Sequence, residues 1–179
     1  MQFSVKMEVQ MDSHDDMNFS EADRLAEELH RQWEIYEEKI SNMEELDLGL
    51  IRYGLANQFD VIVAEALDCI ITLDAIDEFT DEILFLVKNN KSWIIKGRLR
   101  LCIALSKKNI FEESKMHLAK NRDSYYRIWE SAAIYIETHG EKFLEKLISV
   151  ANSNSKNLRH RSLANSLLKF IHEKETKCL

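Results

Sequence analysis

The chain has 179 residues, no proline, four glycines and a formal net charge of −7, and this length suits one domain whose core needs neither disulfides nor a structural metal. Lacking the strongest helix breakers and the usual residues of tight β-turns, it is predicted to be all-helical, with little capacity for a glycine-rich phosphate loop. No run of about 18 apolar residues could span a bilayer and the polar opening has no apolar secretory block, so no membrane role and a cytoplasmic location are expected.

In chain order, residues 1–19 come first, where Phe3, Val5, Met7, Val9 and Met11 alternate with polar residues at the period of a strand. No second strand pattern is present to pair with this one. The segment reads either as an N-terminal tail or as an isolated strand that adds to a sheet edge of a partner or of a second copy. Residues 20–44 form a capping helix with Leu25, Leu29, Trp33, Tyr36 and Ile40 on one face. Ser20 is its expected N-cap, reinforced by Asp23 at the third position.

From residue 46 to 173 the sequence repeats. Four apolar segments align on Ala66, Leu99, Ala132 and Ala164, spaced by 33, 33 and 32 residues. The same register stacks Cys69, Cys102, Tyr135 and Leu167, and then Ile70, Ile103, Ile136 and Leu168. A shorter amphipathic segment precedes each, placing Leu50, Ile83, Met116 and Ile148 in one column and Tyr53, Leu86, Ala119 and Ala151 in another. The unit is therefore a helix pair. Its internal turn carries Asn57, Asn90, Asp123 and Ser155 at equivalent positions, all residues that cap a following helix. One apolar stripe cannot be buried by a single pair, so neighbouring pairs must stack.

The segment LFLVKNNKSWIIKGRLRLCIAL resembles a HEAT repeat, with an apolar first helix, a polar turn and the aliphatic-basic pair Ile95 and Lys96. RHRSLANSLL matches more loosely through His160 and Arg161. The Trp-Leu-Gly-Tyr signature of tetratricopeptide repeats and the Thr-Pro-Leu-His of ankyrin repeats are absent. The resemblance implies a right-handed α-solenoid of about four HEAT-like pairs behind the capping helix, with second helices on the concave side. Residues 174–179 are left as a tail, and residues 1–179 as a single domain.

Catalytic chemistry is not evident. Neither HExxH, GxSxG nor CxxC occurs, and the six histidines show no i, i+4 pairing. No enzyme activity, cofactor, metal or small-molecule substrate is expected. Cys69 and Cys102 sit in apolar stretches and Cys178 near the end, so reduced thiols are expected.

Charge is more informative. Residues 1–82 hold 22 acidic and 5 basic side chains, whereas residues 83–179 hold 9 acidic and 19 basic. Asp74, Asp77, Glu78, Asp81 and Glu82 gather at the junction of the first two pairs, as a hydrated loop or as a patch for a basic protein. On the second helices one column holds Val63, Lys96, Trp129 and Arg161, and the next Leu67, Arg100, Ala133 and Asn165. Facing inward, these would set Lys96, Arg100 and Arg161 around an aromatic, residue types common at binding hot spots; alternatively Trp129 packs between repeats.

The expected function is non-catalytic protein binding, most concretely a bacterial immunity or inhibitor protein that occludes a cationic toxin such as a nuclease, its carboxylates standing in for phosphates. The alternative is nucleic-acid binding or repair through Lys96, Arg98, Arg100, Lys107, Lys108, Arg127, Arg159 and Arg161, or a general adaptor.

Overall fold

The computed structural model describes residues 20–90, 92–106, 114, 115, 118, 123–153 and 157–177. Among these residues all regular structure is helical: α1 (Glu21–Ser41), α2 (Leu48–Leu55), α3 (Asp60–Thr72), a 3-10 turn (Ile76–Phe79), α4 (Thr80–Asn89), α5 (Trp93–Leu105), α6 (Ser124–Thr138), α7 (Glu141–Asn152) and α8 (Leu158–Lys177). The alternation expected over residues 1–12 lies outside the described residues, as do Met116, Ala119 and Ser155. Helix α8 continues past residue 173, where a tail was expected to begin.

The capping box at Ser20 forms as the sequence predicts. Ser20 Oγ accepts from the Asp23 N–H at 3.3 Å, and Ser20 N–H donates to Asp23 Oδ2 at 3.1 Å. Two N–H groups at the start of α1 thus find acceptors, and the acidic first turn suits the positive end of the helix. Further along, only Tyr36 of α1 is buried, while Leu25 is 56% exposed. The helix is held near its C-terminal end, where the Tyr36 hydroxyl enters the space left by Gly54. A Cβ at Gly54 would overlap that hydroxyl and lie 2.9 Å from Ala66 Cβ.

The expected turn residues act in two ways. Asp123 is a true N-cap, its Oδ1 accepting from the N–H groups of Tyr125 and Tyr126 at 2.8 and 3.0 Å. Asn57 and Asn90 stand further upstream. Each accepts from the N–H two residues on, Phe59 at 2.9 Å and Ser92 at 2.7 Å, so it closes an Asx turn that delivers the chain to the helix start. Helices α3 and α5 begin at Phe59 and Ser92 without a side-chain cap. In α8 the N–H of His160 is taken by Asn157 Oδ1 at 3.3 Å.

The four alignment centres, Ala66, Leu99, Ala132 and Ala164, are all 0% exposed. Helix α3 packs on α5, α5 on α6, and α6 on α8, while α2, α4 and α7 pack on α3, α5 and α8 respectively. Small alanines at three of the four centres let the backbones approach, and the flanking aliphatics, Ile62, Leu67, Ile70 and Ile95 among them, fill the core. The shorter helices do not share one rotation. Ile83 and Leu86 are buried as predicted, but Tyr53 is 57% exposed and Ile148 43% exposed. In α2 the inward residues are Ile51, Gly54 and Leu55, because the Tyr36 side chain occupies the side that Tyr53 would have taken. In α7 they are Leu147 and Ala151, because this helix packs against both α6 and α8.

Helix α3 ends in a Schellman motif. Ala75 N–H donates to Ile70 O at 3.0 Å and Asp74 N–H to Ile71 O at 3.4 Å, with Asp74 left-handed at φ 57°.

Candidate functional site

The acidic junction is partly occupied by its own protein. Asp74 supplies the left-handed residue after α3 and accepts from Lys174 Nζ at 2.7 Å. Asp77 Oδ1 accepts from the Ser106 hydroxyl at 2.8 Å, and Glu82 accepts from Arg52 Nε at 2.8 Å while the Arg52 guanidinium lies 5.5 Å from the Phe79 ring centre. Glu78 and Asp81 are exposed.

The two columns on the second helices are not one strip. Val63, Leu67 and Ala133 are buried, Lys96 is half-buried and Asn165 is exposed. Arg100 belongs to the interior. Its Nη1 and Nη2 donate to both carboxylate oxygens of Glu137 at 3.0 and 2.7 Å, and Lys115 Nζ reaches the same carboxylate at 3.1 Å. Burial pushes the Glu137 carboxyl up, but the hydrogen bonds and charges of Arg100 and Lys115 outweigh it and hold the group below its ordinary value. Trp129 is buried, with its indole against Gly97, where a Cβ would overlap the ring. Arg161 faces a pocket between α6, α7 and α8.

What α3, α5, α6 and α8 do share is a cleft of about 700 Å3. At its centre Arg98 makes a two-pronged bond to Asp68, Nε to Oδ1 and Nη2 to Oδ2, each 2.8 Å. The guanidinium also lies 5.2 Å from the Trp129 ring centre, a cation–π arrangement. Glu65 stands one turn before Asp68, and burial, then the neighbouring Asp68 charge, push its carboxyl above the ordinary value. Arg159, Ser162 and Ser166 of α8 and Thr72 of α3 add to the polar lining, and Leu101 and Phe170 lie among the apolar groups. Of the residues named from the sequence, Trp129 lines this cleft, as do Arg98 and Arg159 of the nucleic-acid alternative. Glu65, Asp68 and Tyr125 were not anticipated; the available signal was the interval of 30 residues between Asp68 and Arg98, one repeat less one helical turn.

A second concavity of about 870 Å3 opens where α1 meets α2. Glu38, Glu44, Glu45 and Asp47 line it together with the exposed ring of Tyr53, and the single cation in the lining is Lys39. Asp47 Oδ1 caps α2 by accepting from the Leu50 N–H at 2.9 Å. Glu38, Glu44 and Glu45 are exposed and form no ion pair among the described residues. Over residues 20–47 there are ten acidic and three basic side chains. This surface is negative, with an aromatic ring and the 40% exposed Leu46 beside it.

Among the described residues no group of three or more His, Cys, Asp or Glu side chains is placed to hold a metal ion. Cys69 and Cys102 are free thiols, the latter held well above the usual thiol range by burial. No described helix is long and apolar enough to cross a membrane. No family model matches the chain, and neither a curated protein nor a solved structure does.

Proposed function

We propose that this chain is a non-catalytic binding module that captures a basic protein surface on its acidic α1–α2 face, most concretely an immunity or inhibitor protein that occludes a cationic toxin such as a nuclease. In this reading the helices form a short right-handed HEAT-like solenoid, with α1 as the N-terminal cap. Packing of α3, α5, α6 and α8 in succession supports that architecture. The observation that carries the functional reading is the groove in which Glu38, Glu44 and Glu45 lie unneutralised around an exposed Tyr53. Such carboxylates steer a cationic partner into encounter, and a tyrosine on the same surface supplies contact area at small entropic cost. The alternative use of the basic half on nucleic acid has less to work with, since Arg98, Arg100 and Arg127 are bonded to Asp68, Glu137 and Glu130. Lys107 and Lys108 lie outside the described residues.

The test is affinity capture from the native cell with wild-type protein and with a Glu44→Lys, Glu45→Lys, Tyr53→Ala variant. A basic partner, released by salt and lost by the variant, is the expected result, and the wild-type protein should inhibit that partner's activity. Retention of every partner by the variant, or salt-dependent affinity for duplex or single-stranded nucleic acid in an anisotropy titration, would overturn the proposal.

A further inference from the structure

We infer that the pocket between α6, α7 and α8 is a binding site for a small phosphate monoester. It encloses about 430 Å3, a volume in the range of small-molecule sites. Three helices deliver its cations: Arg127 comes from the first turn of α6, Lys146 from α7 and Arg161 from the first turn of α8. No carboxylate is among the lining residues. Glu130, which accepts from Arg127 Nη1 at 2.6 Å, is the nearby counter-charge. Set against these three cations, Glu130 and the Asp123 carboxylate that caps α6 still leave the site net positive, and guanidinium and ammonium donors are the usual partners of phosphate oxygens.

Two further observations point to an anion. Arg161 Nε is buried with no hydrogen-bond partner among the described residues, and a buried donor left unsatisfied is costly unless an acceptor arrives. The pocket also receives the opening turn of α8, whose positive end adds to the side-chain charge, whereas the start of α6 is capped by Asp123. Ser124, whose Oγ lies 3.1 Å from His160 Nε2, adds a hydroxyl at the same mouth. The apolar part of the lining is Ile128, Leu147 and Val150. Inorganic phosphate would leave this wall uncovered, whereas the organic body of an ester would lie against it.

Phenyl phosphate is the probe, since it pairs one dianionic group with one apolar ring. Calorimetric titration of the full chain at fixed ionic strength should show saturable 1:1 binding, with weaker binding of inorganic phosphate. Lys146→Ala, at an exposed position, and Arg161→Gln should each weaken binding about tenfold, while Lys169→Ala on the far part of α8 leaves it unchanged. Circular dichroism of each variant establishes that it is folded, and Lys146→Ala serves if Arg161→Gln is not. Absence of saturation by about 1 mM phenyl phosphate, or equal affinity of Lys146→Ala and wild type, would overturn the assignment. Equal affinity for inorganic and phenyl phosphate would remove the apolar wall from it.

Discussion

Replacing Glu137 by alanine leaves the Arg100 guanidinium without its carboxylate in the space between α5 and α6. The Arg100 side chain is 7% exposed and Glu137 19% exposed, and the two share bonds of 3.0 and 2.7 Å. Breaking a buried pair by removing one partner costs about 3–5 kcal/mol. With Glu137 one-fifth exposed and Lys115 31% exposed, some water reaches the pair, so the lower end, about 3 kcal/mol, is expected. For a chain of this length that lowers Tm by about 6–12 °C. Urea unfolding followed by circular dichroism measures it, and a double-mutant cycle with Arg100→Met isolates the pair. Arg100→Met combined with Glu137→Leu should recover most of the loss, because a well-packed apolar pair replaces an ion pair at little net cost. A single-variant loss below about 1 kcal/mol, or a coupling energy near zero, would refute the assignment of Arg100 to the interior.

Gly97→Ala should cost about 1–3 kcal/mol, since its Cβ overlaps the Trp129 indole, and a smaller residue at position 129 should restore much of the loss; equal costs in both backgrounds would contradict this packing. Tyr36→Phe should be neutral or stabilising in thermal unfolding, because the hydroxyl it removes is buried with no hydrogen-bond partner among the described residues. Glu65 and Glu137 pull stability in opposite directions with pH. Glu137, held low, contributes stability that is present above the ordinary carboxylate range and lost as pH falls through its lowered value. Glu65, held high, favours the folded state below the ordinary range, and that contribution is lost as pH rises through its raised value. Glu65→Gln should therefore raise Tm at neutral pH and leave it unchanged near about pH 3, which denaturation at the two pH values checks.

Features that depend on neighbours in sequence were legible in advance. Ser20 and Asp23 form their reciprocal cap because both partners lie within one turn, and Ala66, Leu99, Ala132 and Ala164 are buried because a regular period places them alike. Features that depend on how helices rotate were not. Arg100 looked like a free cation because its partner, Glu137, lies 37 residues away on another helix. Tyr53 and Ile148 occupy core positions in the repeat yet face outward, since α2 answers to Tyr36 and α7 packs on two helices at once. The cleft is not legible in any one repeat for the same reason: its lining is assembled from α3, α5, α6 and α8.

The bond between Lys174 and Asp74 joins positions 100 residues apart in a chain whose other helix contacts run mostly between near neighbours. Contacts between near neighbours can form as soon as each helix leaves the ribosome, from the N-terminal end onward. This one cannot, because the end of α3 must wait for a residue one hundred positions further on, and closing so long a loop carries an entropic cost that local contacts do not. A chain cut short within α8 before residue 174 therefore lacks the bond that ties this helix to the end of α3 at the Schellman turn.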